Sequence, residues 1–191
     1  PPHTYELRYP APGAPALAER ARGLLADAGI AAAVDTQRGY DHGTFIPLMV
    51  AFPAADVPVL QVSLLGSLDA QAHIGYGRAL APLRDEGVLI IGSGMSYHNM
   101  RGYGDPRSGP AAAEFDRWLS ETVALPTAER DARLANWATA SGPAGRLSHP
   151  PRAEEHLLPL HVAAGAAGEG RGAKVFGDRV MGVDISAFRF D

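Results

Sequence analysis

Seven histidines and no cysteine set the chemistry open to this sequence of 191 residues. Without thiols, disulfides, thiolate catalysis and cysteine-ligated zinc or iron–sulfur sites are excluded. Imidazoles and carboxylates remain as the groups able to hold a metal or move a proton near neutrality. His98 follows the apolar run Val88-Leu89-Ile90-Ile91 through Gly92-Ser93-Gly94-Met95-Ser96-Tyr97. Open α/β sheets place ligand sites beyond the carboxyl ends of their strands, and an imidazole there suits general-base work. His42 stands in the turn Tyr40-Asp41-His42-Gly43, where it either caps backbone groups or meets a ligand. His156 follows Glu154 and Glu155 at a helix start. His and Glu together can ligate a divalent cation there, and an acidic first turn equally complements a helix dipole. His161 lies five residues on, faces elsewhere on a helix, and reads as a supporting or packing residue. His149-Pro150 reads as a loop feature, His73 as an exposed residue of an amphipathic helix, and His3 as uninformative. Neither a GxxxxGK[ST] phosphate loop nor a Gly-x-Ser-x-Gly elbow in a strand-to-helix context occurs.

The elements that must position these histidines alternate between strand and helix. Ala14 to Ala28 reads as a helix stopped by Gly29, followed by a short strand over Ile30 to Val34. Thr44 is a plausible cap for a short helix over Phe45 to Ala51. Val57 to Val62 reads as a strand, with a helix from Ser67 or Asp69 to Asp85 and a buried strand at Val88 to Ile91. Strand, helix, strand at this spacing is a βαβ unit with parallel strands. Arg101 to Gly109 and Ser141 to Pro151 read as loops. Ala111 to Val123, Thr127 to Ala140 and Glu154 to Ala167 read as helices, Pro159 having to sit in the first turns of the last one. The tail predicts a hairpin of Ala173 to Phe176 and Val183 to Phe190, turning at Gly177-Asp178. The expectation is one α/β domain covering residues 1–191.

Composition bounds the partners. A hydrophobic share of 46% with 20% charged residues is that of an ordinary folded protein. A net charge of -4 with scattered arginines offers no basic surface for nucleic acid. No apolar run is long enough to span a bilayer, and no signal peptide is visible. Absence of cysteine fits a cytoplasmic location.

Several motifs, taken in order, resemble one family. They are Tyr9-Pro10-Ala11-Pro12-Gly13, Tyr40-Asp41-His42-Gly43, Asp56 to Ser63, Leu83-Arg84-Asp85-Glu86-Gly87, Gly92-Ser93-Gly94 to His98-Asn99, and Glu155-His156-Leu157-Leu158-Pro159-Leu160. This ordered set resembles the DOPA 4,5-dioxygenase-like branch of the class III extradiol ring-cleavage dioxygenases, from near residue 1 to about residue 168. The resemblance implies a mixed central β-sheet with helices on both faces and a non-haem Fe(II) site that zinc can also fill. It implies O2-dependent opening of a catechol-type ring next to, rather than between, its hydroxyl-bearing carbons. His156 is then a metal ligand, with Glu155 a rival for that role. His98 is the acid/base, close enough to touch the metal when substrate is absent, and His42 an active-site residue near the substrate. A homodimer is a family expectation. The family's other two metal ligands lie in His-Gly-x-Pro and Ala-His-Trp motifs upstream of Tyr9-Pro10, beyond this sequence, so a longer gene product carrying two further histidines is expected. Two other readings stand beside this one: a zinc hydrolase using the same histidines around an activated water, and a non-catalytic relative.

Overall fold

A computed structural model describes residues 6–191, so His3 lies outside the described residues. The residues group into two compact units, Pro1–Ser63 and Leu64–Asp191.

In the first unit, helix α1 (Pro15–Asp27) begins with proline at its first position, where a missing N–H is harmless. Ala18, Ala21 and Leu25 form its buried stripe, and Gly29 ends it at φ 75°. Helix α2 (His42–Ala51) starts earlier than the sequence predicts, because Asp41, not Thr44, is its cap. The Asp41 carboxylate accepts from the Thr44 N–H at 3.1 Å. Among the described residues Ile30 to Val34 and Val57 to Val62 form no strand ladder. A parallel bridge, Gly13 with Val59, links two extended segments, through Val59 N–H to the Pro12 carbonyl at 2.9 Å. The Tyr40 hydroxyl donates to the Val59 carbonyl at 3.1 Å, tying the approach to α2 to this bridge.

The second unit is built on helices. Helix α3 (Ala70–Leu80) is capped by Asp69 and stops before Pro82, which removes a donor and starts the short α4 (Pro82–Asp85). The single helix expected from Asp69 to Asp85 is therefore two. Helix α5 (Gly109–Val123) follows the Gly-rich loop as predicted. The expected helix Thr127 to Ala140 breaks at Asn136 into α6 (Thr127–Ala135) and α7 (Trp137–Ala140). Thr127 does not cap it: the Thr127 hydroxyl donates to the Gly168 carbonyl instead, at 2.9 Å. The stretch Ser141 to Pro151, expected as loop, contains α8 (Pro143–Ser148), which Pro143 starts. After a 3-10 turn over Glu154–His156 comes α9 (Leu158–Ala166), with Pro159 in its first turn as required.

Helices α3 and α9 approach at glycines. A Cβ on Gly77 would lie 2.0 Å from the Val162 carbonyl oxygen, and one on Gly165 would lie 2.1 Å from that of Ile74. Ile74, Phe115, Leu119, Leu134, Leu157 and Leu158 make the core around this pair. Arg130, fully buried, donates to the carbonyls of Ala164 and Gly168 at 2.9 and 3.1 Å and pairs with Asp131 at 2.9 Å. It thereby satisfies carbonyls that the end of α9 leaves without helical partners.

Strands β1 (Gly172–Val180) and β2 (Val183–Phe190) form an antiparallel hairpin, with α5 packed on β2. Its turn is at Met181-Gly182, not at Gly177-Asp178. Both turn residues have positive φ, 49° and 89°, which matches the twist of the flanking strands. This hairpin is the only sheet among the described residues, so the chain is of mixed helix and strand without the expected central sheet. Val88 to Ile91 is not a buried strand. Among the described residues Leu89, Ile90 and Ile91 have no backbone–backbone hydrogen-bond partner, and Leu89 and Ile91 are 71% and 52% exposed. The physical reason is that a strand ladder requires a neighbouring strand, and among the described residues none pairs with this segment. Among the described residues no helix is long and apolar enough to cross a membrane.

Candidate active site

The second unit brings His98, Glu155 and His156 together from two segments distant in sequence. The rings of His98 and His156 stack with centroids 3.5 Å apart and planes inclined by 22°. His98 Nδ1 lies 3.5 Å from Glu155 Oε1. One donor atom from each of the three residues falls within 4.8 Å of the others.

Local structure explains the meeting. The His98 loop is held from below by the segment after α8: His98 N–H donates to the Ser148 carbonyl at 3.0 Å, and the Asn99 amide donates to the Leu147 carbonyl at 2.8 Å. On the other side, Met95 N–H donates to the His156 carbonyl at 3.1 Å. Gly94 permits this approach, since a Cβ there would lie 2.1 Å from the His156 oxygen. The Gly92-Ser93-Gly94 turn thus serves as the seat of His156. Ser96 Oγ accepts from Ser186 N–H of β2 at 2.8 Å, which fixes the middle of the loop.

The donor set fits a divalent cation. Two imidazoles and a carboxylate suit non-haem iron or zinc, and His98 Nδ1 is buried without a hydrogen bond of its own. Beside the cluster runs an apolar groove of about 430 Å³, lined by Leu89, Ile91, Leu160 and Phe188 and reaching Gly94 and His156.

The other histidines divide clearly. His42 is the exposed first residue of α2 in the first unit. His73 is fully buried, contrary to expectation: its Nδ1 donates to the Asp69 carbonyl at 2.7 Å and its Nε2 accepts from Leu65 N–H at 3.1 Å. It locks the entry of α3. His161 is buried in the core, with Nε2 3.0 Å from the Leu134 carbonyl and Nδ1 3.3 Å from that of Leu157, so it packs and braces as predicted. Burial pushes its pKa down to about 4. His149 is no loop ornament. It is fully buried behind the His98 loop, and burial, opposed by the Ser96 carbonyl, lowers its pKa to about 4. Sequence inspection misses it because its partners, Ser96, Phe115 and Trp137, are all distant along the chain.

A family profile described as the catalytic LigB subunit of aromatic ring-opening dioxygenase matches residues 3–183. The chain belongs to this family. Among relatives of this LigB-family chain, the 4,5-DOPA dioxygenase extradiol of Beta vulgaris is 44% identical over 182 residues, covering 92% of this chain and 64% of that protein. The protein of the same name from Portulaca grandiflora is 44% identical over 168 residues, covering 86% of this chain and 60% of that protein. A crystal structure of an uncharacterized protein from Escherichia coli K12 superposes with a TM-score of 0.83 at 33% identity, covering 96% of this chain and 75% of that one. The LigB-family chain therefore spans 64% and 60% of the length of the two plant relatives.

Proposed function

We propose that the full-length protein is an extradiol dioxygenase, inserting O2 into a catechol-type, DOPA-like substrate and opening the ring beside its hydroxyl-bearing carbons. The observation that carries this reading is the His98–Glu155–His156 cluster within a chain of the ring-opening dioxygenase family. The names of the plant relatives support the substrate class.

His156 is proposed as a ligand of Fe(II), zinc suiting the same donors, with Glu155 beside it as the rival ligand. A bound metal supplies Lewis acidity toward a catechol oxygen and a place for O2. His98, stacked on His156 at 3.5 Å between ring centroids, takes the proton of a catechol hydroxyl and returns one as the ring opens. The carboxylate of Glu155 stands 3.5 Å from its Nδ1. His42 is proposed to hydrogen-bond substrate oxygens as charge develops on them. With His98 kept as the acid/base and one ligand drawn from the His156 and Glu155 pair, a facial site of three protein ligands needs two more, which are proposed from sequence outside these 191 residues.

The test loads full-length protein with Fe(II) under argon, admits O2, and follows absorbance with DOPA, protocatechuate and simple catechols. A yellow semialdehyde and one O2 consumed per ring opened are expected. Absence of both with every catechol, in protein shown to hold iron, would overturn the proposal.

A further inference from the structure

We propose that His149 is a positioning residue that sets the stacked geometry of His98 and His156. The inference rests on reading that pair as the site of chemistry. His149 is fully buried at the end of α8, and its ring is wedged edge-on between Phe115 and Trp137, with centroids 5.5 and 6.0 Å away. Those two aromatic residues belong to the core cluster of the second unit, so the imidazole is anchored in close-packed core.

From this anchor, Nε2 reaches the carbonyl of Ser96 at 2.9 Å. A carbonyl only accepts, so Nε2 carries the hydrogen and the tautomer is fixed. Ser96 stands two residues before His98, in the segment that must hold the His98 ring against His156. Its hydroxyl is already engaged by Ser186 N–H and its neighbour Met95 N–H by the His156 carbonyl. The bond from His149 therefore fixes the Ser96–Tyr97 peptide, the first of the two between these anchors and the functional ring. Next to it in sequence, Ser148 accepts from His98 N–H, so a single turn grips the loop on both sides of Tyr97.

A leucine at this position would keep most of the packing and lose the donor. A glutamine places its amide nitrogen near the position of Nε2, and an asparagine places its own near Nδ1, short of the Ser96 carbonyl. Two measurements on the full-length protein separate a positioning role from a structural one. The first is metal-free: the mutual ring currents of a 3.5 Å stack displace the imidazole C–H signals of His98 and His156 upfield, assigned by single substitution of each. In His149→Leu both displacements should collapse while the fold, judged by circular dichroism and thermal midpoint, is kept, and in His149→Gln they should return. The second is turnover of the iron-loaded enzyme: kcat in His149→Leu should fall about 10–100-fold with KM little changed, as for outer-sphere hydrogen-bond partners, and recover in His149→Gln. If His149→Leu does not fold, His149→Asn serves in its place. Retention of both displaced signals in a folded variant lacking the donor overturns the proposal. So does equal loss in the leucine and glutamine variants. Because the spectroscopic arm needs neither metal nor substrate, it decides the role of His149 even if no catechol is opened.

Discussion

His98 and His156 meet in space although 58 positions separate their numbers, and each makes a different prediction. His98→Ala should leave the fold intact, because the side chain is partly exposed and its N–H, not its ring, holds the loop to Ser148. Turnover should fall roughly 10²–10⁴-fold, the usual cost of losing a general acid/base. Near wild-type ring opening by this variant would remove His98 from the reaction. His156→Ala should lower metal content, while His161→Ala should leave occupancy unchanged, since both ring nitrogens of His161 face core carbonyls. If elemental analysis shows no change for His156→Ala but a fall for Glu155→Gln, the ligand is Glu155. At this scale the sequence was informative about residue type and blind to company. His98, Glu155 and His156 stood out as candidates from motif and chemistry. His149 and His73 were misjudged because burial is a property of the neighbours that folding brings, not of the residue.

The pairing of α3 with α9 sets the frame beneath the site, and two small features hold it. Gly165→Ala should destabilise by roughly 1–3 kcal/mol, because its Cβ would meet the Ile74 carbonyl oxygen at 2.1 Å and backbone must move. Urea unfolding of the variant measures this, and an unchanged midpoint would show that the two helices have slack. His161, braced between the carbonyls of Leu134 and Leu157, links the same frame to pH. Burial holds its folded pKa at about 4, below the ordinary histidine value of 6.5. As pH falls below 6.5 the unfolded chain takes up a proton that the folded chain refuses. Stability is therefore complete above that pH and declines toward pH 4, by on the order of 3 kcal/mol for this group. In His161→Gln the part of the slope between pH 6.5 and 4 due to this residue should vanish. An identical slope in the variant assigns the pH dependence elsewhere. Element types were legible from proline, glycine and caps. The interruption at Asn136 was harder, because helix propensity runs on across it, whereas Pro82 itself carries the break between α3 and α4, lacking the N–H that a continuing helix needs.

For the whole molecule, the exposed apolar residues carry the prediction. Leu89 and Ile91 are exposed on an extended segment whose backbone makes no ladder among the described residues, beside a groove flanked by β2. The curated plant relatives are longer than this chain, which spans 64% and 60% of them. We propose that a strand from sequence outside these 191 residues lies along Val88 to Ile91 in the full-length protein and builds the central sheet. The isolated 191-residue polypeptide should then bind a dye for exposed apolar surface, hold iron weakly, and open no catechol, whereas the full-length protein should bind about one iron per chain. Strong ring cleavage by the 191-residue polypeptide alone would place every ligand within these 191 residues and overturn the proposal.

What the sequence determined by itself was local: which residues can do chemistry, where prolines and glycines start or stop helices, and which ordered motifs mark the family. Each of these depends on neighbours a few positions away, so a linear reading reaches them. What only the tertiary structure decided was partnership. Val57 to Val62 and Val88 to Ile91 have strand composition, yet a strand exists only when another backbone lies beside it to take its hydrogen bonds. The hairpin turn moved to Met181-Gly182 because register is set by pairing along the whole ladder, not by the best turn dipeptide. The stacking of His98 on His156, the carboxylate of Glu155 beside them and the buried imidazole of His149 behind them come from segments distant in the chain, and only the packed core fixes their distances.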